Sequence, residues 1–385
     1  MAEPGKFNPK EQVHGDPLEL PALACGAMAN SKPYVAAPQH QQPLGFPGEL
    51  VENWKDKAIF RLGELLDSNR ALRVYLDSCV KCGACTDKCH YFLGTGDPKN
   101  MPVARQNLMR KVYRRYFTWG GKLVPWLVGA EDLTKEVLDA WYSYFHQCSQ
   151  CRRCSVYCPY GIDTAEISMA ARDIMDTIGL GQKYSNEIIG KVFNVGNNLG
   201  LPPKALKATL AGLEEEIEEE TGVPVRLPLD EKGADILVVT PSADFFASPH
   251  MEGLIGYAKV LHEAGVRWTF STYASEAANF GMFVGSHENM KKVATRIVTA
   301  AKELGVKRIV FGECGHAWRV AYSFLDTLAG PLDFLDPNYP KPQHICEFTY
   351  DLMQRGKLRF DKSKNDEIRL TFPDSCKVAR AARMG

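Results

Sequence analysis

Two short cysteine runs constrain this chain more than any other feature. Each run has the spacing C-x-x-C-x-x-C-x-x-x-C, the pattern of bacterial two-cluster ferredoxins. The first run is Cys79, Cys82, Cys85 and Cys89, and the second is Cys148, Cys151, Cys154 and Cys158. Three thiolates spaced three residues apart can wrap one side of a cubane, so the fourth corner must come from elsewhere in the chain. The runs therefore predict electron transfer through two [4Fe–4S] clusters.

In the ferredoxin arrangement, the fourth cysteine of one run ligates the cluster held by the other run. This predicts one cluster on Cys79, Cys82, Cys85 and Cys158, and another on Cys148, Cys151, Cys154 and Cys89. A structural zinc site normally uses four ligands in all, which two identical four-cysteine runs exceed. Disulfides are disfavoured because cysteines three apart along a helical turn rarely pair and nothing suggests secretion.

Length and composition set outer limits on the class of protein. The chain has 385 residues, enough for two or three domains, and its formal net charge of zero favours no polyanion partner such as nucleic acid. No segment approaches the ~18 uninterrupted apolar residues that a membrane-spanning helix needs. The N-terminus lacks the apolar core of a signal peptide. We therefore expect a cytoplasmic protein whose link to a membrane comes through a partner.

Three regions follow from the pattern along the chain. Residues 1–50 are rich in proline and read as an extended strap or a disordered tail. Residues 51–222 have helical apolar spacing around the cysteine runs, and their acidic run at 214–220 predicts a solvated helix face or a docking site. Residues 223–385 alternate strands and helices, which predicts a parallel sheet covered by helices. The predicted fold class is therefore α + α/β, an all-helical ferredoxin domain followed by an α/β domain.

A possible third site lies at the ends of predicted strands, where open α/β sheets place their ligands. Cys314 follows the predicted strand 308–311 in a glycine-flanked turn at the start of a helix, and Cys376 follows the predicted strand 369–372. A helix N-terminus lowers the pKa of a thiol, so we expect Cys314 to be reactive. The alternative is a structural buried cysteine. Cys346 is expected to pack inside a helix, and Cys25 is treated as incidental.

The segment at residues 312–319 reads Gly-Glu-Cys-Gly-His-Ala-Trp-Arg. With the paired cysteine runs and the later strand–helix alternation, it resembles the HdrD family, named for a component of heterodisulfide reductase. Within that family it most resembles the DsrK-type component of the membrane-bound DsrMKJOP complex, which is associated with sulfite reduction in sulfate reducers. The resemblance covers roughly residues 55–385. The cysteine runs are shared by many families, whereas segment 312–319 is much more discriminating.

In that family, CCG modules combine a cysteine, a later Cys-Cys-Gly and a C-x-x-C, and they hold a non-cubane [4Fe–4S] cluster at which a disulfide is cleaved. Here residues 281–282 are Gly-Met near the place of Cys-Cys, and Ala317 replaces a cysteine of C-x-x-C. Cys376 resembles the opening of a second module that ends early. The resemblance implies that Cys314 and Cys376 belong to a third cluster completed by residues beyond 385, in a domain apparently truncated at its C-terminus.

The resemblance also implies an activity, that of a heterodisulfide-reductase-like thiol–disulfide oxidoreductase. Quinol-derived electrons would arrive from a membrane cytochrome b subunit. They would reduce a disulfide or trisulfide of a DsrC-type sulfur carrier in dissimilatory sulfite reduction. His316, two residues from Cys314, would donate a proton to a leaving thiolate or hold the site by a hydrogen bond. The chain would lie at the inner face of the cytoplasmic membrane through its partners.

Two other functions remain open at this point. One is a pure electron relay whose α/β region only docks partners. The other is an iron–sulfur subunit of a flavin-linked 2-hydroxy acid or glycerol phosphate dehydrogenase, which uses related modules but typically carries their complete cysteine set. No Rossmann G-x-G-x-x-G follows the predicted strand 236–240, which argues against a nucleotide of the chain's own.

Overall fold

The computed structural model describes residues 50–247, 250–365, 367, 369 and 375–382. The predicted strap at 1–50 therefore lies outside the described residues except for its last one, and so does Cys25. The described residues form two compact units, a helical unit at 52–178 and an α/β unit from 179 onward.

The helical unit is built around one buried helix. Its helices are α1 (Trp54–Ser68), α2 (Arg70–Ser78), α3 (His90–Thr95), α4 (Pro102–Phe117), α5 (Trp119–Leu123), α6 (Pro125–Val128), α7 (Lys135–His146), α8 (Arg153–Val156) and α9 (Thr164–Thr177). Eleven of the fourteen residues of α9 are buried because α1, α4 and α7 pack around it. The first cysteine loop leaves the end of α2, and the second leaves the end of α7.

Local sequence sets where these helices begin. The side chains of Asn69, Thr134 and Asp163 cap α2, α7 and α9 by accepting hydrogen bonds from backbone N–H groups of the first turn. Pro102 occupies the first turn of α4, where its missing N–H costs nothing. The helix starts next to the cysteine loops are thus specified by the sequence itself.

The α/β unit holds a four-stranded parallel sheet with the order β2-β1-β3-β4. Its elements are α10 (Lys183–Val195), α11 (Pro203–Thr221), β1 (Ile236–Val239), α12 (His250–Glu263), β2 (Trp268–Thr269), α13 (Ala278–Val284), α14 (His287–Leu304), β3 (Arg308–Phe311), α15 (Gly315–Ala329), β4 (Gln343–His344) and α16 (Ile345–Gln354). The mostly helical fold and the small parallel sheet confirm the coarse fold class that the sequence predicts.

Alternate residues of each central strand face different layers. Ile236 and Val238 of β1 share a core with α11, α12 and α16, whereas Leu237 and Val239 share one with α14 and α15. Both faces of β1 and β3 are therefore covered by helices, which explains their continuous apolar sequences.

The boundary between the two units differs from the predicted one. The units divide between residues 178 and 179, not at 222. The reason is that Leu206, Leu210 and Leu213 of α11 pack into the same core as β1, while α10 packs against α13 and α14. Helical periodicity marks these two helices correctly but carries no information about the layer they join.

The sequence patterns do not predict helix α13 or strand β4, because each element is short and lacks an apolar repeat.

Two predicted segments can be compared with the described residues. The predicted strand at 369–372 lies outside the described residues except for residue 369. In the acidic run at 214–220, Ile217 is buried and most of the glutamates are exposed, which fits a solvated helix face. Among the described residues, every helix is too short or too polar to cross a membrane.

His344 should make stability depend on pH. Its ring Nδ1 accepts a hydrogen bond from the N–H of Cys346 (3.2 Å) and caps α16, and burial lowers the pKa of His344 to about 4 from an ordinary 6.5. The unfolded chain therefore takes up a proton near pH 6.5 while the folded chain does not. The neutral ring therefore stabilises the folded state, and this contribution is complete above about pH 6.5 and is lost as the pH falls towards 4.

We expect His344→Asn, which keeps a capping side chain, to remove this dependence. Urea unfolding at about pH 7.5 and about pH 5 should show that the wild type loses on the order of 1 kcal/mol more than the variant. Equal losses in the two proteins would contradict the assignment.

Candidate metal centres and thiol site

A small cavity lies between the loop after α2 and the segment after α8. Cys79, Cys82 and Cys85 of the first run line it together with Cys158 of the second run. These are the four residues that the crossed spacing predicts for one cluster. Val103 and Gln106 of α4 form part of the wall.

A second small cavity lies beside the loop after α7. Cys148, Cys151 and Cys154 line it together with Cys89 of the first run. Cys154 also lines the first cavity, so a single residue adjoins both. The structure thus brings each predicted set of four thiols to one place.

The two cysteine loops share an unusual backbone conformation. Lys81 and Gln150 stand at the same position of their runs and have φ angles of 57° and 56°, while the next matching pair, Gly83 and Arg152, have 80° and 59°. Positive φ is uncommon for residues other than glycine. Its recurrence at matching positions shows that both loops turn in the same way to present three thiols to one cavity.

The thiols fit a cluster better than a single zinc ion or a disulfide. In a tetrahedral zinc site with Zn–S bonds of about 2.3 Å, the sulfurs lie about 3.8 Å apart. Within the described part of the chain, no three of the eight thiols lie within 4.8 Å of one another. All eight are free rather than disulfide-bonded. Wider spacing around a cavity suits a larger group with four corners.

Positive charge surrounds the second set of thiols. Burial alone would raise the pKa of Cys148, but the charges of Arg105 and Arg172 outweigh it, so the pKa lies below its ordinary value. Arg172 also donates to the carbonyl oxygen of Cys148 (2.5 Å). Burial likewise opposes the thiolate of Cys151, but a hydrogen bond from His90 helps to lower its pKa to about 6. A lowered pKa favours the thiolate, the form that binds metal.

Cys154 is the exception among these thiols. Burial, with the neighbouring Cys148 thiolate, raises the pKa of Cys154 to about 12. A thiolate at the junction of the two cavities therefore needs the positive charge of bound metal to be stable.

In the α/β unit, Cys314 lies at the switch point of the sheet. Strands β2 and β3 lie on opposite sides of β1, so the strand order reverses between β1 and β3. In open α/β sheets, ligands bind at the carboxyl ends of the strands where the order reverses. Cys314 follows β3 and is the N-cap residue of α15. Thr240 follows β1, and its carbonyl oxygen accepts a hydrogen bond from the N–H of Glu276 (3.3 Å).

The predicted lowering of the Cys314 pKa is wrong. Burial and the adjacent carboxyl of Glu276, which is hydrogen-bonded to the thiol, raise the pKa of Cys314 well above its ordinary value. Glu276 is itself buried, with 2% of its surface exposed. Two backbone hydrogen bonds from the first turn of α15 favour the thiolate but are outweighed.

The segment that carries Cys376 packs against the turn that carries Cys314. A Cβ atom added to Gly315 would lie 3.0 Å from the Cβ of Lys377 and 3.1 Å from the Cγ2 of Val378. A side chain at position 315 would therefore require these neighbours to shift by a few tenths of an ångström. Cys376 itself is exposed at the start of a π-helical turn, Cys376–Ala381. The two predicted thiols therefore lie on adjoining segments.

Two neighbouring residues differ from expectation. Burial, followed by the charges of Lys377 and Arg319, lowers the pKa of His316 to about 4, and its ring packs edge-on against Phe283 (5.1 Å). Because its imidazole is neutral at pH 7, His316 is a poor candidate for the predicted proton donor.

Cys346 is exposed on α16, so its predicted packing role is wrong.

Sequence reasoning missed the charged residues that face these sites. Arg105, Met109 and Val112 follow the i, i+4, i+7 spacing of the buried face of α4. A charged residue at an apolar position was therefore visible in the sequence. Nothing comparable marks Glu276, which lies in a loop without periodicity.

Comparison with known proteins agrees with this geometry. Residues 75–162 match the profile of a 4Fe-4S dicluster domain, which covers both runs and indicates two [4Fe–4S] clusters. The chain is thus a dicluster iron–sulfur protein. No solved structure matches it.

Its curated relatives identify the family. The chain is 41% identical over 366 residues to the Hdr-like menaquinol oxidoreductase iron-sulfur subunit of Archaeoglobus profundus, which covers 87% of the chain and 66% of the relative. It is 42% identical over 362 residues to iron-sulfur subunit 2 of the same name from Archaeoglobus fulgidus (86% and 65%). The D component of dihydromethanophenazine:CoB–CoM heterodisulfide reductase from Methanosarcina barkeri is 22% identical over 312 residues (79% and 69%).

The chain belongs to the HdrD-like family of iron–sulfur proteins, which is related to heterodisulfide reductase. It spans about two thirds of the length of the two Archaeoglobus proteins.

Exchange of single thiols tests the crossed ligand sets. We expect Cys158→Ser to disturb the cluster held by the first run and Cys89→Ser to disturb the one held by the second run, because each residue lines the cavity of the other run. Combining Cys89→Ser with Cys151→Ser should then leave one intact cluster signal in electron paramagnetic resonance (EPR). Loss of both signals from this double variant would contradict crossed ligation, provided that Cys346→Ser retains both.

Proposed function

We propose that this chain is the iron–sulfur electron-transfer and catalytic subunit of a membrane-associated complex. Electrons derived from a quinol pass through two [4Fe–4S] clusters to the thiol site of the α/β unit, where a disulfide or trisulfide is reduced. The observation that carries the proposal is the convergence of eight thiols on two cavities that share Cys154. The names of the Archaeoglobus relatives, which are menaquinol oxidoreductase subunits, support the quinol as the source.

The clusters take the ligands that line each cavity. Cys79, Cys82, Cys85 and Cys158 hold one cluster, and Cys148, Cys151, Cys154 and Cys89 hold the other. Each bound cluster exchanges one electron at a time. The chain's own residues position the thiolates, and Cys154 adjoins both cavities, which gives a short route between them.

Reduction of a disulfide consumes two electrons and two protons and yields two thiols, so the relay must operate twice per turnover. Cys314 at the switch point and the neighbouring segment of Cys376 form the proposed site of this reaction. Two thiols are half of the set that a four-iron cluster needs. A third, non-cubane cluster therefore requires ligands beyond those described, and no step is assigned to it.

The proposed substrate is a small protein, a DsrC-type sulfur carrier with sulfite-derived sulfur on its cysteines. Exposure of Cys376 supports a substrate as large as a protein, because its turn is open to solvent beside the Cys314 turn. The distant relatives are named for a different disulfide, that of CoB and CoM. Resemblance to the DsrK-type component supports the sulfur carrier.

The proposed electron donor is a membrane cytochrome b subunit, which would hold the chain at the inner face of the cytoplasmic membrane. A hairpin of α5 and α6 supports a partner of this kind. Four large apolar side chains project from it with exposures of 83, 59, 79 and 76%: Trp119, Leu123, Trp126 and Leu127. Clustered exposed apolar residues, tryptophan above all, mark protein interfaces.

A pure electron relay is the second candidate. The raised pKa of Cys314 favours it, because a protonated thiol is a poor nucleophile and a poor metal ligand. In this case the α/β unit would dock partners without cleaving a bond.

Cys314→Ala separates the two candidates. We expect the variant to lose reduction of a disulfide-bearing sulfur carrier by at least about 100-fold, with both cluster EPR signals unchanged. Cys346→Ala, which removes an exposed thiol from α16, is the matched control and should keep its activity. Retained disulfide reduction in Cys314→Ala would refute the catalytic site.

The hairpin predicts a second phenotype. Trp119→Ser combined with Trp126→Ser should release the chain from the membrane fraction of cells that make the whole complex, because it removes most of the exposed apolar surface of the hairpin. Phe60→Ser, at a position on α1 that is 70% exposed, is the control. Membrane retention of the double variant at wild-type level would contradict the docking role.

A further inference from the structure

Helix α4 forms part of the wall of both cavities. Val103 and Gln106 line the first cavity, and Pro102 and Arg105 line the second. Successive residues of one helix therefore face different cavities. A charge on α4 can lie close to one set of thiols and away from the other.

Arg105 brings a buried positive charge to the second cavity. Only 2% of its surface is exposed. Its Nε donates to the carbonyl oxygen of Tyr144 (2.7 Å) and its Nη2 to the Oδ1 of Asn100 (2.8 Å). Both acceptors are neutral, and no carboxylate among the described residues forms an ion pair with Arg105. Burying an uncompensated charge is costly unless a counter-charge is present.

Arg110, five residues along α4, contacts the backbone of the first cysteine run, although it is not among the residues that line the first cavity. Its surface is 6% exposed, and its Nη1 donates to the carbonyl oxygen of Cys79 (2.7 Å). Burial, with the charge of Arg114, lowers the pKa of Arg110, and the negative charges of Cys79 and Asp77 offset this only in part. The Nε of Arg110 is buried without a hydrogen-bond partner.

A cluster on four thiolates would supply a negative charge next to each arginine. Such a cluster carries a net negative charge that grows by one when it accepts an electron, and its reduction potential depends on nearby charge and burial. A buried cation therefore stabilises the reduced form more than the oxidised form and raises the potential.

From this we infer that α4 sets the two reduction potentials separately. Arg105 is the counter-charge of the cluster on Cys148, Cys151, Cys154 and Cys89. Arg110 is the counter-charge of the cluster on Cys79, Cys82, Cys85 and Cys158. The inference rests on the proposed clusters. Both arginines act as positioning residues for electron transfer and touch no substrate.

The separation follows from placement. Arg105 lines the second cavity and not the first. Arg110 holds the carbonyl of Cys79, the first ligand of the other set. Each charge is therefore nearest to one cluster, so its removal should move one potential much more than the other.

Redox titration of the full chain with its clusters, monitored by EPR, measures the two reduction potentials and so tests whether each arginine controls one of them. Arg105→Gln should lower the potential of the cluster on the second run, and Arg110→Gln that of the cluster on the first run. We expect each change to be at least tenfold in the equilibrium constant for reduction, which is about 59 mV for a one-electron couple. The Cys89→Ser and Cys158→Ser variants assign the two signals.

Charge-preserving variants separate electrostatics from packing. Arg105→Lys and Arg110→Lys keep the charge and should retain most of each potential. Arg115→Gln, which removes a cation paired with Asp132 (3.2 Å), should move neither. If Arg105→Gln fails to fold, the Arg110 pair tests the inference by itself.

The outcomes distinguish the inference from the proposed function. Two signals whose potentials are unchanged in the glutamine variants, or which shift equally, would overturn the role of the arginines and leave the relay standing. Absence of two cluster signals in the wild type would overturn the relay itself.

Discussion

The two cavities of the helical unit exist only where its two cysteine loops meet. Each is lined by three thiols of one run and by at least one thiol of the other, so the loop after α2 and the loop after α7 must approach each other before either set is complete. Thiolates repel one another, and metal binding in such sites is coupled to folding. The surrounding helices then have two tasks, to hold the loops together and to supply positive charge to a group that carries negative charge. Buried arginines in contact with loop carbonyls perform both.

These arginines also tie the start of each cysteine loop to a helix. Arg172 donates to the carbonyl oxygens of Phe145 and Cys148, and Arg110 to that of Cys79. Backbone carbonyls at the end of a helix lack partners within the helix. A guanidinium group with five donors can satisfy them and bring charge at the same time. The first cysteine of each run is thus fixed by an arginine from a different helix.

Much of this arrangement was predictable from sequence, for identifiable reasons. The cysteine spacing predicts both thiol sets because metal geometry restricts it, and the apolar strands 236–239 and 308–311 are visible because both of their faces are buried. The effect of a charged residue that is distant in sequence on the pKa of a site residue was not predictable. The position of Cys314 before a helix suggested a lowered pKa, but the effect of Glu276 depends on a loop 38 residues earlier in the chain. The unit boundary was also missed, since helical periodicity does not reveal which core a helix joins.

Helix α4 also carries the exposed hairpin at its C-terminal end. A Cβ atom at Gly121 in α5 would lie 1.8 Å from the carbonyl oxygen of Arg114, and Arg114 in turn donates to the carbonyl of Val128 in α6 (2.8 Å). The hairpin therefore packs closely against the C-terminal part of the helix that carries Arg105 and Arg110. A partner docked on the hairpin would thus contact the same helix that lines both thiol cavities.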